Sequence, residues 1–300
     1  MHSVLMIFLD GIGIGEEDYH ANPFFKFGFR TFTEIFGEIP TLKKPVLIKN
    51  NSFLFPSDAR LGVEGFPQSG TGQTAILCGM NAAKFVGKHF GPYPYSTLIP
   101  IIEEKNILKA FINLGKKAFF ANAYPKIFFN YLKSGKSRLS VTSLSSKLSG
   151  LKFNTSTDVR QGRALTAEIT NERWNNKLGY KLGSITPKSS ARRLLRIARQ
   201  NSFTLYEYFM TDHLGHGRYD GDAQKLLGIL DEFLFTVISE LKDDITLIIC
   251  SDHGNVENIS IKTHTLNPAL TITSGKFAEE LFNNIKDLTQ IKPAIMRISQ

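Results

Sequence analysis

Apolar residues arrive along this chain in short bursts. "VLMIFLD" (4–10), "KAFFANAY" (117–124), "FTLYEYFMTD" (203–212), "ITLIICSDHG" (245–254) and "ALTIT" (269–273) are rich in β-branched and aromatic residues, and several run without a polar break. A strand with one wet face alternates apolar and polar residues, so unbroken runs predict strands covered on both faces. Between them, residues 98–114, 188–200, 222–241 and 276–286 repeat apolar residues at spacings of three and four, the period of a helix with one buried stripe. Strands alternating with helices predict an α/β fold, a mostly parallel sheet flanked by helices. Residues 125–187 depart from the pattern: "NYLKSGKSRLSVTSLSSKLSG" is small and polar, and the segment shows no long helical period. It is expected to be a small inserted cap, leaving 1–124 and 188–300 as the core domain, and its stretch 134–160 is polar enough to be mobile. No internal repeat is found.

Composition narrows the class. With 300 residues and 42% apolar content, the chain can bury one large core with a smaller insert. The apolar run at 4–9 stops at Asp10, too short to span a bilayer, and no basic leader or cleavage signal accompanies it, so neither membrane insertion nor secretion is expected. The two cysteines, Cys78 and Cys250, both lie in apolar stretches, which predicts buried thiols and a reducing, cytoplasmic setting. A net charge of +9 suits nucleic acid, an anionic membrane surface or a phosphorylated small molecule equally well. Its sign does not choose among them, because the basic residues are scattered. The densest group, Arg192, Arg193, Arg196 and Arg199, has the spacing of a solvated helix face.

The chemistry concentrates at strand ends. Three of the strand-like runs finish in an aspartate: Asp10 in "IFLDGIGIG", Asp212 in "YFMTDHLGHG" and Asp252 in "IICSDHGN". In open α/β sheets the carboxyl ends of strands form the rim where ligands bind, so the three carboxylates converge if their strands are neighbours. Clustered anions repel, and divalent cations are the usual remedy, with histidines adding neutral nitrogen ligands. His216, His253 and the later His264 in "KTHTLNP" supply those nitrogens. Asp212 and His216 are four apart, which puts both on one side of a helical turn or, with Gly215 and Gly217, lets a loop wrap an ion. His213 points away from Asp212 in an extended backbone, and either contacts substrate or packs in a turn.

A second element is "FPQSGTGQTAILCGMNAA", 66–83, a small flexible turn followed by an apolar helix. Backbone N–H groups at a helix start favour anions, so a hydroxyl from Ser69 or Thr71 there would sit where phosphate oxygens are held. Either hydroxyl would also serve as a plain helix cap.

Taken together, these stretches resemble the alkaline phosphatase superfamily, and within it the metalloenzyme domain shared with cofactor-independent phosphoglycerate mutases and phosphopentomutases. "FLDGIGIG", "QSGTGQTAILCG", "TDHLGHG", "SDHGNVEN" and "THTLNP" occur in the family's order. The resemblance implies Ser69 as nucleophile, with Gly79 ten positions on as in the family, and Thr71 as the alternative in the same turn. It implies two divalent ions, zinc or manganese: one on Asp10, Asp252, His253 and the Ser69 oxygen, the other on Asp212, His216 and His264. The expected chemistry is phosphoryl transfer on a small phosphorylated metabolite, as a phosphatase, phosphodiesterase or phosphomutase, with neither nucleic acid nor membrane as partner. The segment "GKHFGPYP" (87–94) offers Lys88 and His89 as pocket residues or as a structural turn. The insert is short for a phosphoglycerate mutase, and "SGTGQ" lacks the proline and arginine of the sulfatase signature. The rival expectation is a catalytically silent metal-binding module whose basic surface recruits nucleic acid or another anionic partner. Oligomeric state is not legible.

Overall fold

The computed structural model describes residues 2–136 and 138–300. Seven strands make one sheet: β1 (Ser3–Leu9), β2 (Leu47–Lys49), β3 (Ser52–Ser57), β4 (Ala118–Phe120), β5 (Phe203–Tyr208), β6 (Ile245–Cys250) and β7 (Ala269–Gly275), in the order β2-β3-β7-β6-β1-β5-β4. β6, β1, β5 and β4 are mutually parallel, while β7 runs antiparallel to β6, β3 to β7 and β2 to β3. The result is the mostly parallel α/β sheet that the apolar runs predict.

Every residue of β1 is buried. Its side chains alternate between two apolar clusters, Leu5, Ile7 and Leu9 on one face and Val4, Met6 and Phe8 on the other, which is why the strand reads as continuously apolar. Helices Pro187–Ala198 and Ala223–Ser239 cover the first face; Ser69–Cys78 and Ile291–Ile298 cover the second.

Local chemistry moves several boundaries. The expected helix at 98–114 is two, Ile99–Lys105 and Ile107–Asn113, because Asn106 takes extended backbone and its side chain caps the second by accepting from the Lys109 N–H. The run 203–212 stops being a strand at Tyr208, and Met210–Gly215 is a helix. The run 117–124 forms only the three residues of β4. The edge hairpin β2–β3 was not among the expected strands. Its turn, Asn50-Asn51, has both residues at positive φ, 47° and 59°, the conformation that two-residue hairpins require and asparagine tolerates. Residues 125–187 contribute short helices at Lys126–Lys133, Val141–Leu148, Ser156–Arg160 and Glu172–Leu178. Val141 packs into the core beneath the sheet, and Trp174 with Ala123, Val159, Ala164 and Leu182 forms a small cluster of its own. Among the described residues, no helix is long and apolar enough to cross a membrane.

Candidate metal centre

The sheet order makes β6, β1 and β5 neighbours, so their carboxyl ends lie side by side. Phe8 pairs with Cys250 across β1 and β6, and Asp10 and Asp252, each two residues further on, therefore come level. Asp10 is also tied to β5, its N–H donating to the Tyr208 carbonyl and its carbonyl accepting from the Thr211 hydroxyl at 2.6 Å. That contact fixes the start of the helix carrying Asp212, His213 and His216. Ser251 closes the third side, accepting from the Ile12 N–H and donating to the His253 carbonyl.

Two clusters result. In the first, His253 Nε2 lies 3.3 Å from Asp10 Oδ1, 3.6 Å from Asp252 Oδ1 and 3.1 Å from Ser69 Oγ. In the second, His216 Nε2 lies 3.2 Å and His264 Nε2 3.5 Å from Asp212 Oδ1, and the two imidazole nitrogens are 3.0 Å apart. The clusters adjoin, since the His253 and His264 rings stack at 3.7 Å. His253 also comes within ligand distance of Asp212 and His264.

Ring orientation decides what these nitrogens offer. His216 Nδ1 faces the Lys262 carbonyl at 2.8 Å, His264 Nδ1 the Pro67 carbonyl at 2.6 Å, and His253 Nδ1 the Gly254 carbonyl at 3.4 Å. A carbonyl accepts only, so each Nδ1 carries the hydrogen and each Nε2 turns inward toward the carboxylates, the arrangement common to metal-bound imidazoles. Inward-facing Nε2 lone pairs beside aspartate oxygens require a proton or a cation between them. Asp10 Oδ1 and Asp252 Oδ2 are buried with no hydrogen-bond partner among the described residues, a condition that costs free energy unless an ion supplies the missing contact. The residues present thus fit divalent cations: hard carboxylate oxygens mixed with borderline imidazole nitrogens.

Electrostatics follow the same division. Burial, and next to it the charge of Asp252, push the Asp10 carboxyl well above its ordinary range, and burial raises Asp252 too. Burial works against ionisation of Asp212, but contacts to His216 and His264 outweigh it and hold that carboxyl below the usual range. Bonding to Asp212 correspondingly raises His216.

Ser69 begins the helix Ser69–Cys78, with Gln68 at the cap position. This helix reaches the cluster because Gly72 has no side chain: a Cβ there would stand 2.9 Å from both Cβ and the carbonyl oxygen of Asp252. The helix stops at Gly79, whose φ of 69° suits the left-handed residue that ends a helix. Thr71 is turned elsewhere, its fully buried hydroxyl donating to the Gln68 carbonyl at 3.2 Å and accepting from the Phe90 N–H at 3.2 Å.

A cleft of about 530 Å³ opens onto Asp10, Ser69 and Asp212, with His213 in its wall. Lys88 and His89 do not line it: Lys88 is exposed, and the His89 ring contacts the Val63 carbonyl at 3.3 Å. Four further residues carry the site. Glu257, buried, accepts from the N–H groups of Gly13 and Asn255, from Asn267 Nδ2 and from the Thr265 hydroxyl, lashing together the loops that hold Asp10, His253 and His264. Asn255 Nδ2 donates to Asp212 Oδ1 at 2.8 Å, and Gln73 Nε2 approaches Asp10 Oδ2 at 3.5 Å. Glu207, in the cleft wall, is raised to about 7 by burial. The signals were polar residues where the pattern wanted apolar ones, a glutamate inside "FTLYEYF" and Asn255 and Glu257 inside "SDHGNVEN".

A profile of the Metalloenzyme superfamily matches residues 2–300. The chain belongs to that superfamily. No curated protein matches it by sequence. Among solved structures it is similar to the PH0037 protein from Pyrococcus horikoshii, at 12% identity and a TM-score of 0.55 over 99% of this chain and 96% of the other. It is likewise similar to the alkaline phosphatase from the Antarctic bacterium TAB5, at 13% identity and a TM-score of 0.53 over 99% and 97%. These likenesses establish an alkaline-phosphatase-like fold over the whole superfamily domain.

Proposed function

We propose that this protein is a two-metal phosphoryl-transfer enzyme, with Ser69 as nucleophile, acting on a small phosphorylated metabolite as a phosphatase, phosphodiesterase or phosphomutase. The observation that carries the reading is Ser69 Oγ at 3.1 Å from His253 Nε2, at a helix start and beside carboxylate oxygens that lack partners. Asp10, Asp252 and His253, with the Ser69 oxygen, would hold one ion, and Asp212, His216 and His264 the other. Zinc and manganese both suit this donor set. Bound there, such ions supply positive charge that lowers the serine hydroxyl pKa and offsets charge on phosphoryl oxygens.

The chain's own residues do the rest. The positive end of the helix Ser69–Cys78 dipole favours an anion at the serine, although the Thr71 N–H of its first turn is given to the Phe90 carbonyl at 2.9 Å. Ser69 Oγ attacks phosphorus in line and its proton passes by way of solvent to the leaving oxygen, so that the P–O ester bond breaks and the alcohol departs. Water or a second hydroxyl then takes the phosphoryl group from the serine, and only that acceptor separates hydrolase from mutase. The segment 125–187 acts as the cap that selects substrate, since Pro125, Ser140, Ser143, Trp174 and Leu178 line the same cleft as Asp10, Ser69 and Asp212.

The test is turnover of p-nitrophenyl phosphate and of a panel of phosphomonoesters, phosphodiesters and sugar phosphates by metal-loaded protein. Ser69→Ala should cut kcat by at least about 10³-fold, as loss of a nucleophile does, whereas Thr71→Val should keep most activity. A metal-loaded protein inert toward the panel, yet binding nucleic acid with strong salt dependence, would overturn the proposal in favour of a silent binding module.

A further inference from the structure

The cleft holds far more than a phosphoryl group: its volume of about 530 Å³ lies in the range of sites that enclose whole small molecules. Beyond the candidate ligands, the polar groups of its wall are mostly spent on other parts of the protein. Asn122 donates its amide to the Glu207 carbonyl at 2.7 Å and accepts from the Glu207 N–H at 2.8 Å. The Tyr124 and Ser143 hydroxyls bond at 2.6 Å, and Ser140 bonds to Ser143 and to Thr142 at 2.9 Å each. Arg173 and Lys177 are tied at 3.4 and 2.7 Å to Asp220, a carboxylate that lines a neighbouring hollow and not this cleft. Glu168 accepts from the Trp174 N–H and the Thr170 hydroxyl, and Glu207 bonds to Thr142; burial raises both carboxyls. Arg218 is exposed and forms no ion pair among the described residues.

The rest of the wall is apolar: Tyr93, Pro125, Trp174, Leu178, Phe209 and Met210. Trp174 is held rigidly, 5% exposed and packed on Tyr180 at 5.0 Å between ring centroids. Tyr93 and Leu178, by contrast, are 41% and 43% exposed. The apolar strip does not end with the cleft. A hollow of about 340 Å³ shares Pro125 and Leu178 with it and adds Ile127, which is 66% exposed. Single exposed apolar residues are ordinary, but a run of them leading away from a nucleophile marks a surface built to be covered. We propose that the alcohol of the substrate ester is apolar, an alkyl chain or ring system that lies along Trp174 and Leu178 and reaches Ile127. The inference rests on the phosphoryl-transfer reading, which sets the phosphoryl group at Ser69, and it names the leaving group of that reaction. Covering the strip removes apolar surface of both partners from water. A polyol would gain less, because wall groups that are already paired return little for the water it gives up.

Binding of alkylphosphonates, whose C–P bond replaces the ester, tests this without turnover. Manganese-loaded protein is titrated calorimetrically with the straight-chain series from methylphosphonate to octylphosphonate, each longer member compared with its counterpart ending in a hydroxyl. Every methylene that reaches the strip should tighten binding by up to about fourfold, and the terminal hydroxyl should remove much of the gain. Leu178→Ser should flatten the rise from the middle lengths onward, and Ile127→Ser only for the longest chains. Both positions are exposed enough for the fold to tolerate the change. A phenylalkylphosphonate that binds more tightly than the straight chain of equal carbon number points to a ring, and one that binds less tightly to a chain; either supports the proposal. Affinity that is flat with chain length, a preference for the hydroxyl-ended members, or a rise that survives in both variants overturns the apolar leaving group while the phosphoryl-transfer reading stands. If no phosphonate of any length binds, both fall.

Discussion

Asp252→Asn should stabilise the chelator-stripped protein and weaken its stabilisation by metal. Asp10 and Asp252 present oxygens within 4.8 Å of each other and of His253. At an effective dielectric of about 20, two unit charges at that distance repel by about 3–4 kcal/mol. Proton uptake relieves part of this, because burial and the neighbouring Asp252 charge raise Asp10. A gain of about 1–3 kcal/mol is therefore expected from the neutral amide, or roughly 2–6 °C in Tm for a chain of this size. The one bond at risk is long, the Gly11 N–H to Asp252 Oδ1 at 3.4 Å, and the asparagine carbonyl keeps it. Saturating metal should have the opposite effect on the two proteins: at about 100 times Kd, one ion stabilises the wild type by about 2.7 kcal/mol, while the variant gains far less. The sign with pH follows from the raised folded-state pKa of Asp252. Its folded form holds a proton that the unfolded chain releases near the ordinary value of 3.8, so stripped wild-type protein loses stability as pH climbs above that value. The advantage of Asp252→Asn should therefore be absent in strong acid and grow with pH. Scanning calorimetry of both proteins, with and without manganese, measures all three effects. A stripped variant that melts below the wild type, or one that keeps the full metal shift, would refute the argument that these carboxylates meet around a cation.

Two further outcomes are expected. Gly72→Ala would force a methyl group to within 2.9 Å of Asp252, costing about 1–3 kcal/mol by overpacking and weakening metal binding; urea melts and equilibrium dialysis check it, and unchanged metal affinity would contradict the close approach. The bond to Asp212 raises His216 above 6.5, so acid puts a proton where the second ion should bind. Metal affinity at that site should drop about tenfold per pH unit below that raised pKa and lose this pH step in His216→Ala, as a competing fluorescent chelator would report.

Much of this protein could be read from its sequence. Unbroken apolar runs reported strands buried on both faces, helical spacings reported what covers them, and five short motifs in order pointed to the family. The types of residue in the candidate metal clusters were legible too, since carboxylates and histidines that recur at the ends of neighbouring strands are costly to bring together without a cation. Periodicity, however, reports only the burial of each residue within its own element. It missed the hairpin β2–β3, whose edge strand β2 is only three residues long and mostly exposed, and it ran the strand through Asp212, where the chain in fact turns into a helix. Nor did it distinguish Ser69 from Thr71, two hydroxyls in one turn. The fold does, because Thr71 spends its hydroxyl on Gln68 and Phe90 while Ser69 faces His253. The same holds for Lys88 and His89, which the chain carries away from the cleft, and for Glu257, whose four donors come from loops far apart in sequence. What the sequence by itself determined was which side chains are available and which segments are buried. Which of them meet was decided by the hydrogen-bonded register of β6, β1 and β5, pairings between residues far apart along the chain that no local pattern records.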